Sequence, residues 1–145
     1  MGFIFIYTIV TPSLSNLNDK NFLRAFQVTD AVIQNKQPIF MFIWIGSIVS
    51  ILTTILVSLL SIGLSKAWLI VLIGIVYLLV IQGITITIHI PLNNHIQNIK
   101  IEKLNEKSIA DERKNFEKRW NFFNYIRTTI AISTTISLLI ILSLR

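Results

Sequence analysis

The chain has 145 residues, 53% of them hydrophobic and only 14% charged, with a net charge of +6. Thirteen of its twenty charged residues fall in 100–127, while Lys66 is the single charge in 37–99. That whole stretch would have almost no polar face in a soluble globule, so a soluble domain is excluded; the absence of cysteine excludes disulfides, thiolate nucleophiles and Cys-ligated metal centres.

The first apolar segment, 2–10, is uncharged and ends at Thr11-Pro12. At ~1.5 Å per residue it reaches less than half of a hydrocarbon core about 30 Å thick. It lacks the basic leading region and small-residue cleavage site of a signal peptide. The expectation is a partial first span over 2–12, cut short by an upstream start or shielded by a neighbour. Residues 18–35 read as a short amphipathic helix with Phe22, Phe26 and Ile33 on one face. Asn18 or Asp19 can cap it, and Asn35 followed by Pro38 is a stop signal.

Two uncharged runs follow, 39–64 with 26 residues and 67–90 with 24, each long enough to span. Ser65 and Lys66 are the expected turn, making the pair an antiparallel hairpin. The polar stretch 94–124 carries most of the charge, and Ser108 with Asp111 fits a capping box. No Gly or Pro interrupts 109–145, so one helix is expected to run from Ser108 into a last span over 125–144. The fold class is thus all-α: a single membrane domain over 1–145, a transmembrane bundle of four helices with the first one short or truncated.

Loops 11–38 and 91–127 fall on one side of this bundle and hold eleven Lys and Arg, against Lys66 and Arg145 on the other. By the bias of basic residues toward the cytoplasm, these loops are cytoplasmic and both termini lie outside, as in a multi-pass protein of a bacterial inner membrane. The same bias accounts for the basic balance. No basic strip interleaved with aromatics is present, so the bilayer is the expected partner and nucleic acid is not.

Polar groups inside a membrane are costly and mark function. No Asp or Glu lies in any span, which counts against proton-coupled export. Gln82, Thr85 and His89 recur at spacings of three and four, one narrow stripe at about 100° per residue. Asn93 continues it if the helix survives Pro91, which is expected to kink or end it. The last helix has a matching stripe of Trp120, Asn124 and Arg127, with Phe116 on the same side. Position alone favours Arg127 as an anchor snorkelling to headgroups and Trp120 as an interfacial belt residue. Asn124 on the same face points instead to a polar pocket at the cytoplasmic mouth. His89 and His95 are about 120° apart on a straight helix, wrong for joint ligation, so no metal is expected. His89 reads either as a packing residue or as a general base. The Ser and Thr residues of the last span read as packing contacts between helices.

Four short elements occur in order: Val10-Thr11-Pro12-Ser13-Leu14, Asn35-Lys36-Gln37-Pro38-Ile39-Phe40, Pro91-Leu92-Asn93, and Trp120-Asn121-Phe122-Phe123-Asn124-Tyr125-Ile126-Arg127. Together they resemble a family of small four-helix membrane proteins that includes the fungal anthrone oxygenases. The family begins with a full first helix, of which this chain carries the second half. The resemblance implies oxidation of an activated aromatic methylene by O₂ without metal, flavin or other cofactor. It further implies His89 and Arg127 as catalytic residues, His89 as base and Arg127 as a donor to the oxyanion. Asn93, Trp120, Asn124, Gln82 and Asn35 are then the candidate substrate contacts. Two other classes stay open: a structural or accessory membrane protein whose stripes only pin helices together, and small-molecule binding or transport by a homo-oligomer.

Overall fold

The computed structural model describes residues 14–144, apart from Lys36 and the side chain of Ile33. The partial span expected over 2–12 lies outside the described residues. What is described is helical, with no strand among the described residues, and comprises four helices. They are α1 (Asp19–Gln34), α2 (Pro38–Ile62), α3 (Leu64–Asn98) and α4 (Glu106–Ser143). The last three are long and apolar enough to cross a membrane, and the protein is a transmembrane helical bundle.

Local signals set the helix ends. Asn18 Oδ1 accepts from the Asn21 amide at 2.9 Å and caps α1. Gln37 caps α2 through the Phe40 amide, with Pro38 in the first turn where its missing N–H costs nothing. The turn between α2 and α3 falls on Gly63 rather than on Ser65-Lys66. Its φ of 70° and ψ of 164° are open essentially to glycine alone, and α3 restarts at once with Leu64. The cap of α4 falls on Asn105, three residues before Ser108. Asn105 is extended, and its side chain accepts from the Ser108 amide at 2.8 Å.

α3 is continuous through Pro91, contrary to the expected break. Two π-helical segments, Tyr77–Gln82 and Thr85–His89, precede the proline. The Ile90 amide donates to the Thr85 carbonyl, five residues back. Pro91 therefore enters in the first turn of a fresh α-helical stretch, Ile90–Asn98, instead of the interior of one. This relieves the clash with the carbonyl four residues earlier that would otherwise bend the helix.

The spans bury a few apolar residues, Ala67, Ile70 and Ile81 of α3, but the main apolar cluster lies at one end of the bundle. α2 buries no residue, and its apolar side chains face outward as a lipid-facing helix requires. The core is Phe22 and Leu23 of α1, Ile96 of α3, Ile101 of a short 3₁₀ turn, and Ile109 and Phe116 of α4. It forms a cap at the charged end of the bundle. Arg113 fastens α1 there, donating to the carbonyls of Leu17 at 2.6 Å and Ser15 at 2.7 Å, to Asp19 at 2.9 Å and to Glu117 at 3.0 Å. Its guanidinium lies 4.5 Å from the Phe22 ring centre.

Candidate functional site

The two sequence stripes face each other where the spans meet the cap. From α3 come Gln82, Thr85, His89 and Asn93; from α4 come Phe116, Trp120, Asn124 and Arg127. The continuity of α3 past Pro91 keeps Asn93 on the side facing α4, with Thr85 and His89.

Arg127 turns inward. Nη2 donates to Asn124 Oδ1 at 2.7 Å, and Nη1 reaches Thr85 Oγ1 at 3.4 Å across the helix interface. Thr85 sends its own hydroxyl proton back to the Ile81 carbonyl at 2.8 Å, which leaves oxygen lone pairs for the guanidinium. The anchor role that position alone favours is therefore replaced by a place in the bundle. The physical reason is a buried neighbour, since Asn124 is only 5% exposed and offers an acceptor one turn away. No carboxylate pairs with Arg127 among the described residues.

His89 is 4% exposed, and neither ring nitrogen has a hydrogen-bond partner among the described residues. Its ring meets the indole of Trp120 edge to face, with centroids 5.2 Å apart. Phe26 and Phe116 continue the aromatic wall, 6.2 and 6.4 Å from Trp120. Trp120 is thus a wall of the cluster and not a free belt residue. Its Nε1 donates to Asn93 Oδ1 at 3.1 Å, and Asn93 Nδ2 donates to Asp30 Oδ1 at 2.7 Å.

Gln82 is also buried, but it serves a different contact. Its Oε1 accepts from the indole of Trp44 on α2 at 2.9 Å. Asn35 stays apart, exposed just beyond α1, with its backbone amide closing the last turn on Ala31. His95 faces away from His89 toward Glu112 of α4 at 2.9 Å. A surface hollow of about 300 Å³ beside that pair is lined by Leu92, His95, Glu112, Asn115, Phe116 and Arg119, and holds none of the catalytic candidates.

One residue of the cluster escapes a search confined to the spans. Asp30 of α1 is 3% exposed and accepts from Gln34 at 2.7 Å and Gln97 at 3.1 Å as well as from Asn93. Its signal in the sequence is its spacing of four from Phe26, which puts it on the apolar face of α1. Gln27, one turn back, donates to the carbonyls of Ile96 and Ile99 and closes the end of α3.

The chemistry available here is compact: an imidazole with both nitrogens open, a guanidinium with N–H groups to spare, two amides and an aromatic wall. A family model described as anthrone oxygenase matches residues 39–137, which contain α3 and most of α2 and α4. No curated protein and no solved structure matches the chain.

Proposed function

The chain belongs to the anthrone oxygenase family, and from that membership we propose that the His89–Arg127 cluster binds a small aromatic molecule and oxygenates an activated methylene in it. The observation that carries this reading is His89, a buried imidazole whose ring nitrogens have no partner among the described residues, beside a guanidinium that pairs with no carboxylate among them. A buried polar group without a partner is costly, and a position that keeps one is a candidate for chemistry.

In the proposed reaction an imidazole nitrogen of His89 takes a proton from the methylene between two aromatic rings. The electron pair left behind spreads onto the ring carbonyl, and Arg127 and the amide N–H₂ of Asn124 hold the resulting oxyanion. Electrostatic stabilisation of that charge is the largest contribution in such a site. O₂ takes up the electrons and is protonated to a hydroperoxide on the same carbon. Loss of water leaves a carbonyl, so one O₂ converts CH₂ into C=O and one H₂O. Trp120 and Phe26 provide the surface on which a flat substrate stacks.

The remaining expectations join this reading. The polar cap, with loops 11–38 and 91–127, faces the cytoplasm, which the excess of Lys and Arg on that side supports. A lipophilic substrate then arrives from the bilayer. A packing role is favoured for Gln82, whose contact with Trp44 joins α2 to α3 and leads away from His89.

The test is O₂ uptake by the purified protein in detergent with a hydroxylated anthrone. Wild type is expected to consume O₂ and form the quinone, and His89→Ala to lose about 10²–10⁴-fold in rate while staying monodisperse. Equal rates for the two proteins, or no uptake by either, would remove the oxygenase reading and leave a structural bundle.

A further inference from the structure

We infer that Asp30 is a positioning residue for the cluster: it fixes which way round the Asn93 amide sits, and Asn93 in turn holds the indole of Trp120 against His89. An Asn side chain has one acceptor end and one donor end, and packing alone barely distinguishes them. Here the two ends meet partners of opposite kind. Nδ2 faces Asp30 Oδ1 at 2.7 Å, and Oδ1 faces the Trp120 N–H at 3.1 Å. An indole nitrogen is a donor only, so Trp120 can be held only if the amide oxygen faces it. The reversed amide would set two donors against each other at Trp120 and two acceptors at Asp30.

Asp30 is suited to impose this order. It stands at the convergence of three amide nitrogens, those of Gln34, Asn93 and Gln97, and a carboxylate offers acceptors to all of them. No Lys or Arg pairs with it among the described residues, so its contacts are those directed amide bonds. Gln97 Nε2 is shared with the Gln27 carbonyl at 2.8 Å, which ties the same point of α1 to the end of α3. α1 is thus the element that sets the angle of the aromatic wall, though it lies before the stretch that matches the family model.

What Trp120 then does for a substrate rests on the oxygenase reading; the positioning itself does not, and it has its own readout. In protein labelled with ¹⁵N at the indoles, the Trp120 N–H is identified by its absence in Trp120→Phe. Asp30→Ala is expected to shift that resonance and speed its exchange with solvent by about tenfold or more. Asn93→Ala is expected to do the same, and the double variant no more than Asn93→Ala alone, because both act through one bond. An unmoved Trp120 resonance in Asp30→Ala, or effects that add in the double variant, would overturn the inference. If Asp30→Ala does not fold, Asp30→Leu, apolar and branched at the same atom, takes its place with the same readouts.

Turnover supplies the second arm. With an active wild type, Asp30→Ala is expected to raise KM about tenfold or more with a smaller change in kcat, since the stacking wall is displaced while base and guanidinium stay. A loss confined to kcat with KM unchanged would overturn that role for Trp120. An inactive wild type removes the oxygenase reading and leaves the indole measurement to decide on Asp30.

Discussion

Arg127 donates to Asn124 Oδ1 at 2.7 Å, three residues back on its own helix, and this one bond turns a cation at the membrane boundary toward the bundle. The amide it binds is nearly buried. Removing the guanidinium in Arg127→Ala leaves that oxygen without its partner, which costs about 1–3 kcal/mol. The expected result is a lower melting temperature in detergent together with loss of turnover. Arg127→Lys keeps the charge, but a single ammonium does not reproduce the two-pronged reach to Asn124 and Thr85. It should insert normally and remain impaired in turnover. A variant that melts like wild type but fails to insert would return Arg127 to an anchoring role.

The bond between Trp44 and Gln82 crosses from α2 to α3 within the spans. Hydrogen bonds between membrane helices couple by about 0.6 kcal/mol on average, with a maximum near 1.7. A double-mutant cycle with Trp44→Phe and Gln82→Leu should fall in that range. Turnover should survive in Gln82→Leu, because its side chain is committed to α2. Loss of turnover with stability intact would bring Gln82 back into the reactive cluster.

Much of this arrangement is legible from residue order, and the exceptions have physical causes. The stripes Gln82/Thr85/His89 and Trp120/Asn124/Arg127 follow from helical spacing; Thr85 and His89 do meet Arg127 and Trp120, while Gln82 turns to α2. The passage of α3 through Pro91 is not legible, since it depends on two π-helical segments that no residue in Tyr77–His89 announces. The inward turn of Arg127 depends on the burial of Asn124, a tertiary property. Asp30 is different. A charge on an amphipathic helix outside the spans ordinarily belongs to the solvated face, yet its spacing from Phe22 and Phe26 places it on the buried one. Asn35 shows the converse, a residue within a recognisable element whose side chain stays exposed.

Because the chain has no cysteine, its orientation can be mapped by single introduced thiols. Lys66 and Lys114 are both exposed, the first in the opening turn of α3 and the second on the polar part of α4. In intact cells Lys66→Cys should react with a membrane-impermeant maleimide, and Lys114→Cys only after permeabilisation. The opposite pattern would reverse the proposed topology and place the cap outside the cell.

Gly63 carries the α2–α3 turn in a backbone region that other residues enter only under strain. Gly63→Ala should cost about 1–3 kcal/mol. There is open space around its Cβ position, so the whole effect is conformational. An unchanged melting temperature in Gly63→Ala would mean that the turn relaxes to another geometry.

The hairpin also closes at a second glycine, for a different reason. A Cβ on Gly74 would lie 2.6 Å from Ile55 Cδ1 and 2.9 Å from Ile55 Cγ1 on α2. Cδ1 is the far end of that side chain, but Cγ1 moves only by turning χ1, which a β-branched residue in a helix resists. Gly74→Ala should therefore destabilise mildly, even though alanine is the better helix former by about 1 kcal/mol. Gly74→Leu is the stronger case: overpacking of about 1–3 kcal/mol is expected because the two helices must part. Ile55→Ala on its own should be mild, since α2 faces outward and buries no residue. Combined with Gly74→Leu it should restore most of the lost stability, because the space given up by Ile55 is the space the leucine needs. Additive losses in the double variant would show that the close approach at Gly74 does not set the spacing of α2 and α3.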